Sequence, residues 1–452
     1  MLRKASDTAD LRAQLAPLAE LATDAIGKAR DAGAEQAELS LSVEAGLSVN
    51  VRKGEVDTLE YTRDRGLSLT VYLQGRKGSA STADLSADSI EKTLAHALAI
   101  ASHTQADPAA GLADADRLAT EFPDLDLWHP QPLDAEAAIA EATRCEAAAL
   151  DYDPRISNTE GASSSLGQGI SIYANSHGFV GREASTRTSL SASVIAGAED
   201  AMQRDYYYDS ARAAEDLRGA EEIGKEAARR TLARLNPKPI QTGEYPVIFS
   251  PDIARGFFAH LCSAASGGSL YRRASFLLDA CGTQILPDWL QATEDPFLAR
   301  GTGSCSFDAE GVATQRHALI ENGVLKRYLL GSYSARKLGL ETTGNAGGMH
   351  NLLVNSNAGD LQSLIAGVTR GLLVTEVMGQ GVNLITGDYS RGASGLWIEN
   401  GEIAHPVHEI TIAGHLPTLY RSIEAIGNDT DTRGNVRVGS IMVGKMTVAA
   451  ES

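Results

Sequence analysis

The chain is short of several things, and each shortage narrows the reading. Its 452 residues hold four cysteines (Cys145, Cys262, Cys281 and Cys305) with no Cys-x-x-Cys pair. So sparse a set predicts reduced thiols and a cytoplasmic setting, not a disulfide scaffold. Positive charge is short too: 40 Lys and Arg stand against 58 Asp and Glu, a net charge of −18. That field repels phosphate backbones and anionic lipid, so neither nucleic acid nor membrane is expected as a partner. No uncharged apolar run reaches the ~18 residues of a membrane span. The polar start Met1-Leu2-Arg3-Lys4-Ala5-Ser6-Asp7 lacks the apolar stretch of a secretion signal. Proline is scarce, 14 against 44 glycines, which predicts turns and strands more than a helical bundle. Apolar residues at 43% and charged residues at 22% are globular averages, and the length fits two or three domains.

What is present is patterned. Leu11, Leu15, Leu18, Ala22, Ala25 and Ile26 recur at helical steps, with Gly33 as a stop. Three period-two runs follow (Leu39 to Val43, Leu47 to Val51, Leu67 to Val71), with turns expected at Ala45-Gly46, Lys53-Gly54 and Arg65-Gly66. Ser86 is placed to cap a second helix. The Pro-, Asp- and Ala-rich stretch 104–133 reads as a surface connection, and a third helix is expected over 134–150. Ser- and Thr-rich strands are expected over 156–208 and a charged helix over 210–235. Asn236-Pro237-Lys238-Pro239 then breaks any helix. The spacing therefore predicts an α+β chain. Its N-terminal domain, 1–235, combines helices with an antiparallel sheet; a linker spans 236–243; a mainly-β, sandwich- or barrel-like domain spans 244–452. Within the last, Asn322-Gly323 and Asn400-Gly401 each sit between apolar strands, the signature of a type I′ hairpin.

Most chemical motifs fail on inspection. Gly439 to Met446 nearly spells a phosphate loop, but Met446 cannot ligate Mg²⁺ and no helix can follow it. No Gly-x-Ser-x-Gly elbow exists. His405 and His408, three apart on a strand with Pro406 between them, project to opposite faces of what reads as an exposed edge strand. Ser250-Pro251-Asp252 reads as a helix start, with Ser250 as N-cap. Ile253, Phe257, Leu261 and Ala264 mark its buried stripe and His260 sits at the stripe's edge.

At this helix and along the C-terminal segment the chain resembles the TldD/PmbA family, in its PmbA (TldE) branch. The stretches that carry the likeness are Leu384 to Ile403 (Leu-Ile-Thr-Gly-Asp-Tyr-Ser-Arg-Gly-Ala-Ser-Gly-Leu-Trp-Ile-Glu-Asn-Gly-Glu-Ile), Glu409 to Gly414, Ile426-Gly427-Asn428-Asp429 and the Thr342 to Ala346 turn. The resemblance implies a cytoplasmic proteolytic system in which a TldD-type subunit is a zinc metalloprotease and a TldE-type subunit pairs with it. TldD-type relatives carry His-Glu-x-x-x-His on the helix matching 257–265, with a cysteine ligand near the C-terminus. Laid on this sequence, the first His falls on His260, the Glu on Leu261 and the second His on Ala265, and the last cysteine is Cys305. A single imidazole cannot hold a three-ligand catalytic zinc and Leu261 cannot activate water. Cys262 is no substitute, lying ~200° from His260 around a helix.

The resemblance thus implies no catalytic residue and no metal ligand in this chain. His260, Leu261 and Ala265 stand as site-facing relics, and zinc is expected in a TldD-type partner. The expected job is to admit unfolded peptide beside that partner, with backbone edges of the second domain pairing to it; a homodimer is an alternative when the chain is alone. Two rivals stand. One is a self-sufficient metallopeptidase that brings His260 to His405 or His408. The other is a protein-binding modulator, gyrase-related, without protease activity.

Overall fold

The computed structural model describes residues 11–450; the polar start read above lies outside them. Six strands, β1 (Gln36–Arg52), β2 (Glu55–Leu73), β3 (Arg76–Thr82), β4 (Ile156–Asn175), β5 (Val180–Ala196) and β6 (Gln203–Ala211), form an antiparallel sheet ordered β3-β2-β1-β4-β5-β6. Alternation sorts its faces. Leu39, Leu41, Leu47, Val49 and Val51 of β1 are buried beneath four helices, α1 (Leu15–Asp31), α2 (Ala87–His103), α3 (Ala135–Leu150) and α4 (Ala220–Leu232). The intervening Ser40, Ser42 and Ser48 point the other way. Ser86 caps α2 by accepting the Ser89 N–H, and Gly33, at φ +97°, follows α1 as expected.

Three local expectations are corrected. Only Lys53-Gly54 turns, with φ of 55° and 75°; Ala45-Gly46 and Arg65-Gly66 lie inside unbroken strands. Gly46 serves close approach instead, since a Cβ there would stand 2.8 Å from Thr62 Oγ1. The charged helix begins at Ala220, because 203–211 pair as β6. The 104–133 stretch is no mere surface connection: it crosses to the second half, where the Ala119 N–H meets the Gly311 carbonyl, and it buries Leu112, Ala119 and Leu125.

The second half carries, in order, β7 (Gly243–Phe249), α5 (Pro251–Ala264), α6 (Gly267–Tyr271), β8 (Ala292–Glu294), β9 (His317–Glu321), β10 (Val324–Leu325), α7 (Ser332–Leu338), β11 (Leu352–Val354), α8 (Leu361–Ala366), β12 (Arg370–Met378), β13 (Asp388–Glu399), β14 (Glu402–His415), α9 (Leu416–Arg421), β15 (Ile423–Ile426), β16 (Val436–Arg437) and β17 (Ile441–Ala450). One sheet runs β14-β13-β12-β7-β17-β15, and β14 also pairs with β17, so it closes into a barrel. A smaller sheet runs β10-β9-β8-β11-β16. The α+β class and the barrel-like second half are as the sequence predicts. Phe249, Phe258, Trp397 and Tyr420 are wholly buried in its core. Both Asn-Gly pairs turn hairpins with positive φ at each residue: 52° and 74° at Asn322-Gly323, 52° and 81° at Asn400-Gly401.

Candidate functional site

Helix α5 starts at Pro251, but the Ser250 hydroxyl donates to Asp252 Oδ1 at 2.5 Å and does not accept a backbone N–H, so the expected side-chain cap does not form. Phe257, Phe258, Leu261, Ala264 and Ala265 are buried against the barrel. His260 is half-buried, its ring edge-on to Tyr389 at 6.3 Å between centroids. Burial and the nearby Arg391 charge both lower its basicity. Of the three positions singled out by the sequence, only His260 has surface to offer; Leu261 and Ala265 are each 0% exposed.

His405 and His408 lie on β14 where it pairs with β13 alone, before the β17 pairing begins at Ile410. His405 Nδ1 is 3.2 Å from the Pro406 carbonyl, and that carbonyl also accepts the Lys238 N–H, so linker backbone covers this edge. Among the described residues, no three His, Cys, Asp or Glu side chains are grouped to hold a metal ion.

Next to α6 a cleft opens between the bare face of the first sheet and the loops of the second half. Two lobes of 930 and 870 Å³ share Ser40, Ser68, Tyr173, Ala346, Gly347 and Gly348, so they form one groove. Register explains the floor: Ser81, Ser68, Ser40 and Tyr173 stand side by side across β3, β2, β1 and β4. Beside them Glu38 accepts hydrogen bonds from Tyr72 at 2.8 Å and Tyr173 at 2.9 Å. Burial and the Glu38 charge raise both phenols, so they stay donors. This is a hydroxyl-lined surface suited to the amides of an extended chain.

At the second-half wall Cys305 Sγ sits 3.2 Å from His350 Nδ1, and His350 Nε2 lies 2.8 Å from the Gly344 carbonyl. Sequence reasoning missed this pair; its signal was the adjoining Thr342 to Ala346 turn. The spacing suits a thiol and its base, but burial and the charges of Glu183, Asp308 and Glu294 push the thiol up to about 12, so no thiolate nucleophile stands ready at neutral pH. Behind it Glu294, 0% exposed, accepts from the His350 N–H at 2.7 Å and Asn345 Nδ2 at 2.8 Å, with His317 Nε2 2.9 Å away. Burial raises its carboxyl, but these partners prevail and hold it below the usual range.

Comparison with known proteins agrees with this architecture. Three profiles match in order: PmbA/TldA metallopeptidase domain 1 over residues 37–101, the central domain over 128–235 and the C-terminal domain over 242–450. Relatives include the protein named Metalloprotease PmbA of Escherichia coli O157:H7, 49% identical over 92% of each chain, and its homologue in Haemophilus influenzae, 46% identical over 98% of each. A crystal structure from Bacteroides thetaiotaomicron, described as a proposed modulator of DNA gyrase, superposes with a TM-score of 0.91 at 32% identity, covering 96% of this chain and 98% of the other. TldE from Thermococcus kodakarensis shares the fold, with a TM-score of 0.83 at 19% identity over 95% and 100% of the two chains.

Proposed function

The chain belongs to the PmbA/TldD metallopeptidase family, and from that membership we propose that it is the TldE-type subunit, working in the cytoplasm beside a TldD-type zinc protease that degrades or trims unfolded peptides. The observation that carries this reading is on α5. Where a metallopeptidase helix needs Glu and a second His, Leu261 and Ala265 are sealed in the core, so neither position offers a base or a ligand beside His260. The groove over the first sheet supplies what such a subunit contributes: hydroxyl donors and acceptors that hold an extended peptide without cutting it. We place the peptide on this groove first; barrel closure takes up the Ile410 to Ala413 edge of β14, while β15, β10 and β16 still end their sheets and offer a second surface. Zinc belongs to the partner in this reading, and the chain supplies binding alone.

Elemental analysis of the purified chain, with a casein cleavage assay, tests it. Zinc well below one per chain and no cleavage are expected. One zinc per chain together with cleavage, both lost on His260→Ala, overturns the reading in favour of a self-sufficient peptidase.

A further inference from the structure

A separate cavity of 840 Å³ lies between β6 and α4 of the first half and α8, the start of α5 and residues 429–437 of the second. Its wall carries eight arginines against seven Asp and Glu, a positive lining in a chain whose net charge is −18. Six of the arginines are matched by carboxylates, among them Arg230 to Asp252 at 3.0 Å, Arg234 to Glu376 at 2.6 Å and Arg433 to Asp431 at 2.7 Å. Two are not. Arg212 makes no ion pair, although the Glu183 charge reaches it; its hydrogen bonds go to main-chain carbonyls, those of Thr186 at 3.1 Å and Thr302 at 3.0 Å foremost. Arg437, half-buried on β16, makes no ion pair or hydrogen bond with any described residue. The Nε of both, and the Thr302 hydroxyl on the same wall, are buried without a partner. Burial lowers the basicity of both guanidiniums. Natural interiors rarely leave such groups unmatched.

The lining also carries apolar side chains: Leu361, Ile365, Leu373, Leu396 and Ile403. We propose that this cavity binds a carboxylate carried on an apolar group, and specifically the C-terminal residue of an extended peptide, its carboxylate on Arg437 and beside Arg212, its side chain on these apolar residues. A phosphate, with a second negative charge and no apolar part, would meet the acidic residues and leave the apolar ones wet. The site rests on the peptide-handling reading above and extends it from the groove to the end of the chain being held.

Fluorescence polarisation on the intact chain alone tests it, with a labelled peptide ending in Leu as the free acid and as the amide. The free acid binds about tenfold tighter; Arg437→Gln removes that preference and Arg437→Lys keeps part of it, both with unchanged melting temperature. Equal binding of acid and amide, or a preference that survives Arg437→Gln, overturns the site. So does N-acetyl-leucine binding as tightly as the peptide, which would assign the cavity to a free small acid. Because no protease is present, a preference seen here alongside failure to support a TldD-type enzyme would sink the subunit reading and leave this site standing.

Discussion

Leu261 decides how His260 is read. A carboxylate at that position would be 0% exposed among the apolar side chains of the barrel core, and an unpaired buried charge is strongly destabilising. Leu261→Glu should therefore lower stability by at least about 3 kcal/mol in denaturant unfolding; an unchanged midpoint would mean that the helix face is open to a site after all. Glu294 gives a second test. Its folded pKa lies below its unfolded value, so its stabilisation is complete above the unfolded value, near ~4.3, and is lost as pH falls through the folded one. Melting temperature should drop in that acid window, and Glu294→Gln should flatten the drop while lowering the neutral value. Thiols give a third test, spread over both halves: Cys281 is exposed while Cys145 and Cys262 are buried and the Cys305 thiol is raised. Titration with a thiol reagent at pH 7 should find one fast cysteine, removed by Cys281→Ser. At this scale the sequence was readable where chemistry is local. His260, Leu261 and Ala265 sit on one helix, whereas Cys305 and His350 are 45 residues apart and no local pattern joins them.

Among the elements, the Asn-Gly hairpins and the Ser86 cap were legible because their chemistry is local, whereas at Ser250 the hydroxyl turns to Asp252 and no side-chain cap forms. Asn-Gly needs positive φ at both residues and has it twice. Strand continuity was not legible: glycine at 46 and 66 suggested turns, but both lie in paired strands, and that Gly46 is crowded while Gly66 is not depends on which residues lie opposite, a tertiary fact. Barrel closure was equally hidden, since the pairing of Ile410 to Ala413 with Thr447 to Ala450 joins distant segments. Glycine geometry yields a paired prediction on helices. At Gly224 of α4 a Cβ would run into the Cys145 carbonyl of α3, whereas at Gly256 of α5 nothing lies within 4 Å. Gly224→Ala should destabilise by about 2 kcal/mol, and Gly256→Ala should stabilise by about 0.5–1 kcal/mol. Shifts of equal sign in thermal unfolding would contradict the α3–α4 packing.

For the molecule as a whole, the groove and the arginine-lined cavity both form where the two halves meet, so neither half alone presents them. The crossing stretch 104–133 and ion pairs such as Arg117 to Glu341 and Arg234 to Glu376 tie the halves together. That arrangement explains why motif reading found no active site: both surfaces are assembled from residues far apart in sequence, which no local pattern joins. The account stands or falls on whether the chain serves a catalytic partner. The measurement is the rate at which a TldD-type protein cleaves an unfolded peptide, alone and with this chain added in equal amount. The account predicts a marked rise in cleavage with the mixture and none from this chain by itself. An unchanged rate on mixing would contradict it.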